Sequence, residues 1–214
     1  MFRFCSLLLF IILSACGSIS SQVDSTYIGF FDKKHSIRPY FAKSFTALSH
    51  EVDENDEISY FPNTPFGIGL GLSYKGLSVS GSYGFQFMRE RGKGKTKAID
   101  FQTHIYKRKV VFDFFFQDYK GMFVEDAKEN IELFPDIHLT QYGVFGQYVF
   151  NGNKFSYQAA FNQNQKQLKS AGSWLLGGSI YLNKARSDST LVFTENRHSL
   201  NNFQFGVNLG YAYT

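Results

Sequence analysis

FGIGLGLSYKGLSVSGSYGF, residues 66–85, alternates with a period of two almost from end to end. Phe66, Ile68, Leu70, Leu72 and Tyr74 fall on one side of an extended chain, and Gly67, Gly69, Gly71 and Ser73 on the other. Successive side chains of a strand point to opposite faces, so this is a strand with one apolar face and one face of small residues. After Lys75-Gly76 the alternation resumes, with Leu77, Val79, Gly81, Tyr83 and Phe85 against Ser78, Ser80, Ser82 and Gly84. A two-residue turn sets Tyr74 opposite Leu77 and Leu72 opposite Val79, which keeps the apolar residues on a shared face. Gly76 suits the positive φ such a turn requires. The segment reads as a β-hairpin.

The same period returns along the chain. Ile99, Phe101, Thr103 and Ile105 alternate with Asp100, Gln102, His104 and Tyr106. Beyond a turn at Arg108-Lys109, Val110, Phe112, Phe114 and Phe116 alternate with Val111, Asp113, Phe115 and Gln117. Tyr142, Val144, Tyr148 and Phe150 lead through residues 151–154 (NGNK) to Phe155, Tyr157, Ala159 and Phe161, with Gln141, Gln147, Ser156, Gln158, Asn162 and Asn164 opposite. Trp174, Leu176, Ile180 and Leu182 follow. Last come Phe203, Phe205, Val207, Leu209, Tyr211 and Tyr213, set against Gln204, Gly206, Asn208, Gly210 and Ala212. With a first strand around residues 37–48, the alternation gives about nine strands. The 25 Phe, 13 Tyr and 19 Gly agree with strands and tight turns rather than long helices.

Two sheet architectures alternate in this way. A water-soluble sandwich or barrel turns its apolar face inward and covers the outside with charge. A membrane barrel turns the apolar face to lipid and fills its interior with small and polar residues. Here the second face is Gly, Ser, Gln and Asn with few Lys or Glu, and Tyr and Phe gather at strand ends (Phe66 and Tyr74, Tyr83 and Phe85, Tyr211 and Tyr213). Both features fit an all-β, antiparallel, up-and-down transmembrane β-barrel.

Connection lengths give a second test. With the first strand running outward, the long segments 49–64, 88–96 and 120–138 fall outside, and the short turns 75–76, 108–109 and 151–154 fall inside. This is the asymmetry of outer-membrane barrels. It fails at 183–202, a long connection placed inside, which either hides a strand at 191–194 or is an irregular inner loop. The carboxylate-rich runs 51–57 (EVDENDE) and 125–132 (EDAKENIE) lack the fixed ligand order and central glycine of a calcium loop, so they read as solvated outer segments, the second a candidate short helix over the mouth.

Residues 1–21 read as a signal peptide, with Arg3 followed by an apolar run at 4–13 that is too short to span a bilayer as a helix. Leu13-Ser14-Ala15-Cys16 also has the form of a lipobox, so lipidation at Cys16 and ordinary cleavage before Gln22 both stand open. Both cysteines, Cys5 and Cys16, lie in this segment, leaving residues 22–214, the barrel domain, without a disulfide or thiol site. The net charge of +4 is spread out and points to no nucleic-acid partner.

Residues 89–96, RERGKGKT, end like a phosphate-binding P-loop. That loop needs a leading glycine where Arg89 stands and a following helix where the alternating strand from Lys97 begins, so no nucleotide is expected. The segment reads as a solvated outer loop. Its sharper reading is that Arg89, Arg91, Lys93, Lys95 and Lys97 contact phosphates of lipopolysaccharide.

Several stretches carry a resemblance: Asn63-Thr64-Pro65, IGLGLSYKGLSVS, GKTKAIDFQ, QDYKG at 117–121, Phe134-Pro135-Asp136 and KSAGSW at 169–174. Together they resemble the domain of unknown function 4421 family of Gram-negative envelope proteins, from about Asp24 onward. The resemblance implies an outer-membrane-type barrel with no assigned activity, and a chain that extends further at its C-terminus. An incomplete barrel is therefore expected, or one closed by the segment at 27–31; a closed barrel of about nine to twelve strands leaves only a narrow interior.

For chemistry, His104 is the one histidine well inside a strand, on the interior face with Asp100 and Gln102, while Asp113 and Gln117 share that face on the next strand. A His–Asp pair can orient a general base, but no serine is placed by sequence as its nucleophile. The cluster reads as a hydrogen-bonded interior network. The expectation is an outer-membrane barrel of structural role, or one that passes or binds small solutes, without catalysis or cofactor and with lipid and lipopolysaccharide as partners. A lipid-modifying barrel enzyme using His104 and a soluble lipocalin-like exported barrel are the alternatives.

Overall fold

The structure, a computed structural model, describes residues 23–33, 35–43, 45–53, 56–64, 66–126, 128–161, 165–188 and 198–214. The signal peptide expected at 1–21 and Cys16 lie outside the described residues, as does the strand considered at 191–194. The strands are β1 (Ile28–Phe30), β2 (His35–Ala42), β3 (Leu48–Asp53), β4 (Asp56–Tyr60), β5 (Gly67–Tyr74), β6 (Leu77–Gly84), β7 (Lys97–Tyr106), β8 (Val110–Glu125), β9 (Ile131–Val149), β10 (Gln165–Gln167), β11 (Gly172–Arg186) and β12 (Ser199–Tyr213). The α-helix among the described residues is one short turn, α1 (Tyr157–Phe161). Eight strands form one antiparallel sheet in the order β12-β11-β9-β8-β7-β6-β5-β2, while β1–β10 and β3–β4 pair separately. The sheet is open: β2 and β12 are its edges.

The hairpin at 66–85 has the register its alternation dictates, with Leu72 opposite Val79 and Tyr74 opposite Leu77. Lys75 and Gly76 both take positive φ, 49° and 88°, the conformation that lets a two-residue turn follow the twist of its strands. The turn at 107–110 sets Ile105 opposite Phe112 and His104 opposite Asp113.

Four expectations are corrected. Residues 155–161 do not extend a strand. After the 151–154 turn the chain enters α1 and β10, because Phe155 and Tyr157 are drawn into an apolar cluster with Tyr106, Val111, Val149 and Leu175. Strand β11 therefore runs the other way from the expectation, and the connection after Arg186 joins the other long connections at one end. The irregular long connection at the turn end is 150–171 instead. Segment 120–138 is neither loop nor helix: β8 and β9 continue as one long hairpin to Glu125 and Ile131, with a bulge between Lys120 and Met122. Segment 49–64 contains the β3–β4 hairpin, whose Leu48, Ile58 and Tyr60 pack on Tyr119, Met122, Ile137 and Leu139. The segment at 27–31 does not close the sheet, since β1 pairs with β10.

Cross-strand rows show how the two faces are used, because directly paired residues share a face. One face carries Phe101, Phe116, Tyr142, Leu182 and Phe203 in a single row over β7, β8, β9, β11 and β12. Apolar residues continue on that face down to the turn end, and they are exposed: Leu70 51%, Ile180 50%, Phe205 77%, Val207 80%, Leu209 71%. On the opposite, inward face the adjacent row is Asp100, Gln117, Gln141, Asn183 and Asn202.

One step toward the loop end, both faces exchange character. The inward row becomes Ala98, Tyr119, Leu139, Ala185 and Leu200, while the outward row becomes Ile99, Asp118, Thr140, Lys184 and Asn201. The next outward row is Lys97, Lys120, His138, Arg186 and Ser199. Beyond this line the sheet has an apolar core and a polar exterior, as a water-soluble sheet does. Below it the arrangement is reversed.

Candidate functional site: a polar chamber between two apolar caps

The inward face is polar only in its middle. At the loop end Tyr119, Ile137, Leu139 and Ala185 close over it with the β3–β4 hairpin, and Tyr119 and Ile137 are fully buried. At the turn end Tyr106, Val111, Val149, Phe155 and Leu175 form a second cap with Tyr27 and Tyr157. Between them lies a cavity of about 500 Å³, lined by Arg38, Tyr40, Lys43, Asp100, Gln102 and His104 above a floor of Ser80 and Ser82.

Apart from Lys43, which follows β2, these lining residues are set by the two-residue period. Arg38, Tyr40 and Ala42 are the alternates of Ile37, Pro39 and Phe41, and their strand partners Gly71, Gly69 and Gly67 carry no side chain to fill the space above. The ring of Tyr40 lies over Gly69, where even a Cβ would collide with it. Phe115 lies over Gly143 in the same way. Glycines on this face thus make room for the large side chains of neighbouring strands.

Two hydrogen-bonded centres occupy the chamber wall. Asp100 Oδ1 accepts from Gln117 Nε2 at 2.8 Å and from the Tyr119 hydroxyl at 2.7 Å. His104 Nδ1 lies 2.7 Å from Asp113 Oδ1. An ionised carboxylate only accepts, so Nδ1 carries the proton in the neutral imidazole and Nε2 is left as its basic nitrogen. The His104 ring stacks on Tyr106 with centroids 5.7 Å apart. Ser78 is the strand partner of His104, so serine, histidine and aspartate stand side by side on β6, β7 and β8. The Ser78 hydroxyl is buried and hydrogen-bonded to that of Ser73. Further along the wall, Gln147 donates to Asn208 at 2.7 Å and Gln141 to Asn183 at 3.1 Å.

The structure gathers Asp100, Gln102, His104, Asp113 and Gln117 on one face of β7 and β8, and it adds Arg38, Tyr40 and Lys43 from β2 and the residue that follows it. Arg38 and Tyr40 were legible from the alternation that begins at Ile37 but carried no motif; Lys43 falls outside that alternation, just past the end of β2. Among the described residues no group of three or more His, Asp and Glu is placed to hold a metal ion.

The basic loop is divided in its use. Arg89 donates to the Thr96 carbonyl at 2.5 Å, and Lys93 bridges Glu90 at 3.0 Å and Glu125 at 2.7 Å. The Lys93 ammonium holds the Glu90 carboxyl below the usual carboxylate range, and Glu125 and Glu90 together raise the Lys93 ammonium. Arg91, Lys95 and Lys97 are exposed. Thr96, the last residue of the P-loop-like stretch, is buried: its hydroxyl donates to the Gly121 carbonyl at 2.6 Å and accepts from the Asn63 amide at 2.8 Å. Asn63 Nδ2 in turn donates to the carbonyls of Glu90 and Gly94, each at 3.0 Å. The stretch is a structural clasp between the loop and the β8 bulge.

The clasp and the 66–85 hairpin are built from stretches that carry the resemblance noted in the sequence. Residues 22–214 match the family described as Domain of unknown function (DUF4421). The chain belongs to that family. No curated protein and no solved structure matches it.

Proposed function

We propose that this DUF4421 protein is an outer-membrane β-barrel whose interior binds a small polar solute. The observation that carries the reading is the exchange of polarity between the two faces within one row on β8, β9, β11 and β12, with β7 following one outward row later at Lys97. A water-soluble barrel has no reason to expose Phe205, Val207 and Leu209 on one strand while burying Tyr119 and Leu139 on the opposite face further along. A lipid boundary gives that reason. From Phe203 to Tyr213, ten residue steps at about 3.4 Å make about 34 Å of strand, which a tilt of about 40° reduces to about 26 Å, against an apolar band of about 25 Å in such barrels. Tyr74, Phe150, Trp174 and Tyr211, all exposed, lie at the turn end of the band as an interfacial girdle would.

The apolar caps at both ends argue for retention of a solute rather than free diffusion. Arg38 on one wall and Asp100 on the other suit a small molecule bearing both charge and hydrogen-bonding groups, with Lys43 at the rim between the Glu90 carboxylate and the Phe45 and Phe66 rings. Hydrocarbon tolerates no unpaired sheet edge, so β2 and β12 must each be paired in the membrane. With eight strands the two edges run antiparallel, the sense in which an even barrel closes.

The test is envelope fractionation followed by gels of boiled and unboiled samples of the Cys16→Ser protein. Sedimentation with the outer membrane and faster migration when unboiled are expected. Release into the soluble periplasm without a shift contradicts the reading and returns the apolar face to a soluble core or ligand pocket.

The Ser78–His104–Asp113 row supports a second reading, a hydrolase acting on a chain drawn into the chamber. It predicts that His104→Ala changes the lipid profile of the envelope while the protein still folds. An unchanged profile leaves the row as part of the wall.

A further inference from the structure

We infer that the outward row Lys97, Lys120, His138 and Arg186, with Lys184 one row below, is a binding site for the phosphorylated sugar headgroup of lipopolysaccharide. The inference rests on the outer-membrane reading and assigns the lipid contact to strand residues rather than to the basic loop.

Register places the row. Lys97 pairs with Lys120, Lys120 with His138 and His138 with Arg186, so the four side chains issue from adjacent strands β7, β8, β9 and β11 on one face. At about 4.8 Å per strand, three intervals span about 14 Å, which suits a headgroup with more than one phosphate better than a single phosphodiester. The row lies two rows beyond Phe101, Phe116, Tyr142 and Leu182, the last full apolar row of the band. That is headgroup depth. It is also the end with the long connections, which faces the outer leaflet in barrels of this class.

The charges are available. Among the described residues no carboxylate lies within ion-pair distance of Lys97, Lys120, Lys184 or Arg186. The nearest outward carboxylate, Asp118, accepts from His138 Nε2 and Thr140 Oγ1, each at 2.8 Å. Asp136 accepts from the Ser187 hydroxyl at 2.6 Å and the Asp188 amide at 2.9 Å. Of the five loop cations, Arg89 and Lys93 are engaged within the protein, and Lys97 belongs to the row itself. Lysine and arginine together give point-charge and bidentate contacts to phosphate.

The experiment uses the full chain in phosphatidylethanolamine vesicles, with the temperature of the heat-modifiable shift as readout. Adding diphosphoryl lipid A is expected to raise that temperature in the native protein, and dephosphorylated lipid A to leave it unchanged. The Lys97→Gln/Lys120→Gln/Arg186→Gln variant is expected to need at least about tenfold more lipid A for the same rise, about 1.4 kcal/mol. Arg91→Gln/Lys95→Gln is expected to behave as the native protein. An equal response in the triple variant overturns the site, as does an equal response to dephosphorylated lipid A or to phosphatidylglycerol. If the triple variant does not insert, Lys120→Gln alone is read, and an unaltered lipid A response there counts against the site. A native protein that inserts into no vesicle overturns the barrel reading first, before any lipid A is compared.

Discussion

The ring of Tyr119 is fully buried in the loop-end cap, and its hydroxyl donates to Asp100 Oδ1 at 2.7 Å. One side chain thus joins the apolar cap to the polar chamber, across the line where the faces exchange character. Tyr119→Phe keeps the packing and removes the donor. The expected loss is about 1–2 kcal/mol of stability, read as a lower urea midpoint in detergent micelles. An unchanged midpoint would mean that Asp100 is satisfied without the tyrosine hydroxyl.

The clasp around Thr96 gives a second expectation. Gly121 takes φ +90°, and a Cβ there would run into the Lys95 carbonyl oxygen. Gly92 has a similar φ of +84° but open space around it. Gly121→Ala should cost about 1–3 kcal/mol more than Gly92→Ala, because only the first adds a backbone collision to the strain of a left-handed residue. Equal losses in urea unfolding would show that the bulge does not hold the loop.

Much of this was legible in the residues. The period of two identified the strands of the main sheet, and Lys75-Gly76 specified a register that the hairpin keeps. The pairing of His104 with Asp113 also follows from alternation across the turn at 107–110. Residues 155–161 misled because Phe155, Tyr157, Ala159 and Phe161 alternate as a strand would, yet Phe155 and Tyr157 serve a cap inside the turn end rather than a sheet face. Residues 120–138 misled for the opposite reason: beyond the exchange line the apolar residues move to the other face, so Tyr119 and Leu139 break the alternation of Phe112, Phe116 and Tyr142, and the bulge between Lys120 and Met122 then turns Met122 inward. A period of two is visible in a sequence, but which face carries the apolar residues changes along these strands.

The Glu90–Lys93–Glu125 bridge predicts a pH response at the loop end. Lys93 holds the Glu90 carboxyl below its usual range, so its contribution is full above the unfolded-state glutamate value of about 4.3 and is lost as pH falls through the lower folded-state value. Lys93 is raised, so its contribution is full below about 10.4 and lost as pH rises through its higher folded-state value. Hydrogen exchange of residues 89–96, corrected for intrinsic rates, should be flat between about pH 5 and 9 and lose protection in stronger acid. Glu90→Gln should blunt the acid loss, and an identical profile would exclude the bridge as its source.

Closure of the sheet is open to cross-linking. Residues 22–214 contain no cysteine. A cysteine at Phe41 on β2, combined in turn with cysteines at alternate positions from Phe203 to Tyr213 on β12, should form a disulfide at one or two adjacent positions in membranes. No disulfide at any position would mean that another strand lies between these edges.

The most direct test of the lipid boundary is its depth. Single cysteines at Phe205, Val207, Leu182, Asn201 and Ser199, each carrying an environment-sensitive fluorophore, would be exposed to quenchers fixed at known depths in vesicles. The account predicts strong quenching by deep quenchers at Phe205 and Val207, shallow quenching at Leu182, and access only to aqueous quenchers at Asn201 and Ser199. Uniform aqueous quenching at all five positions would contradict it.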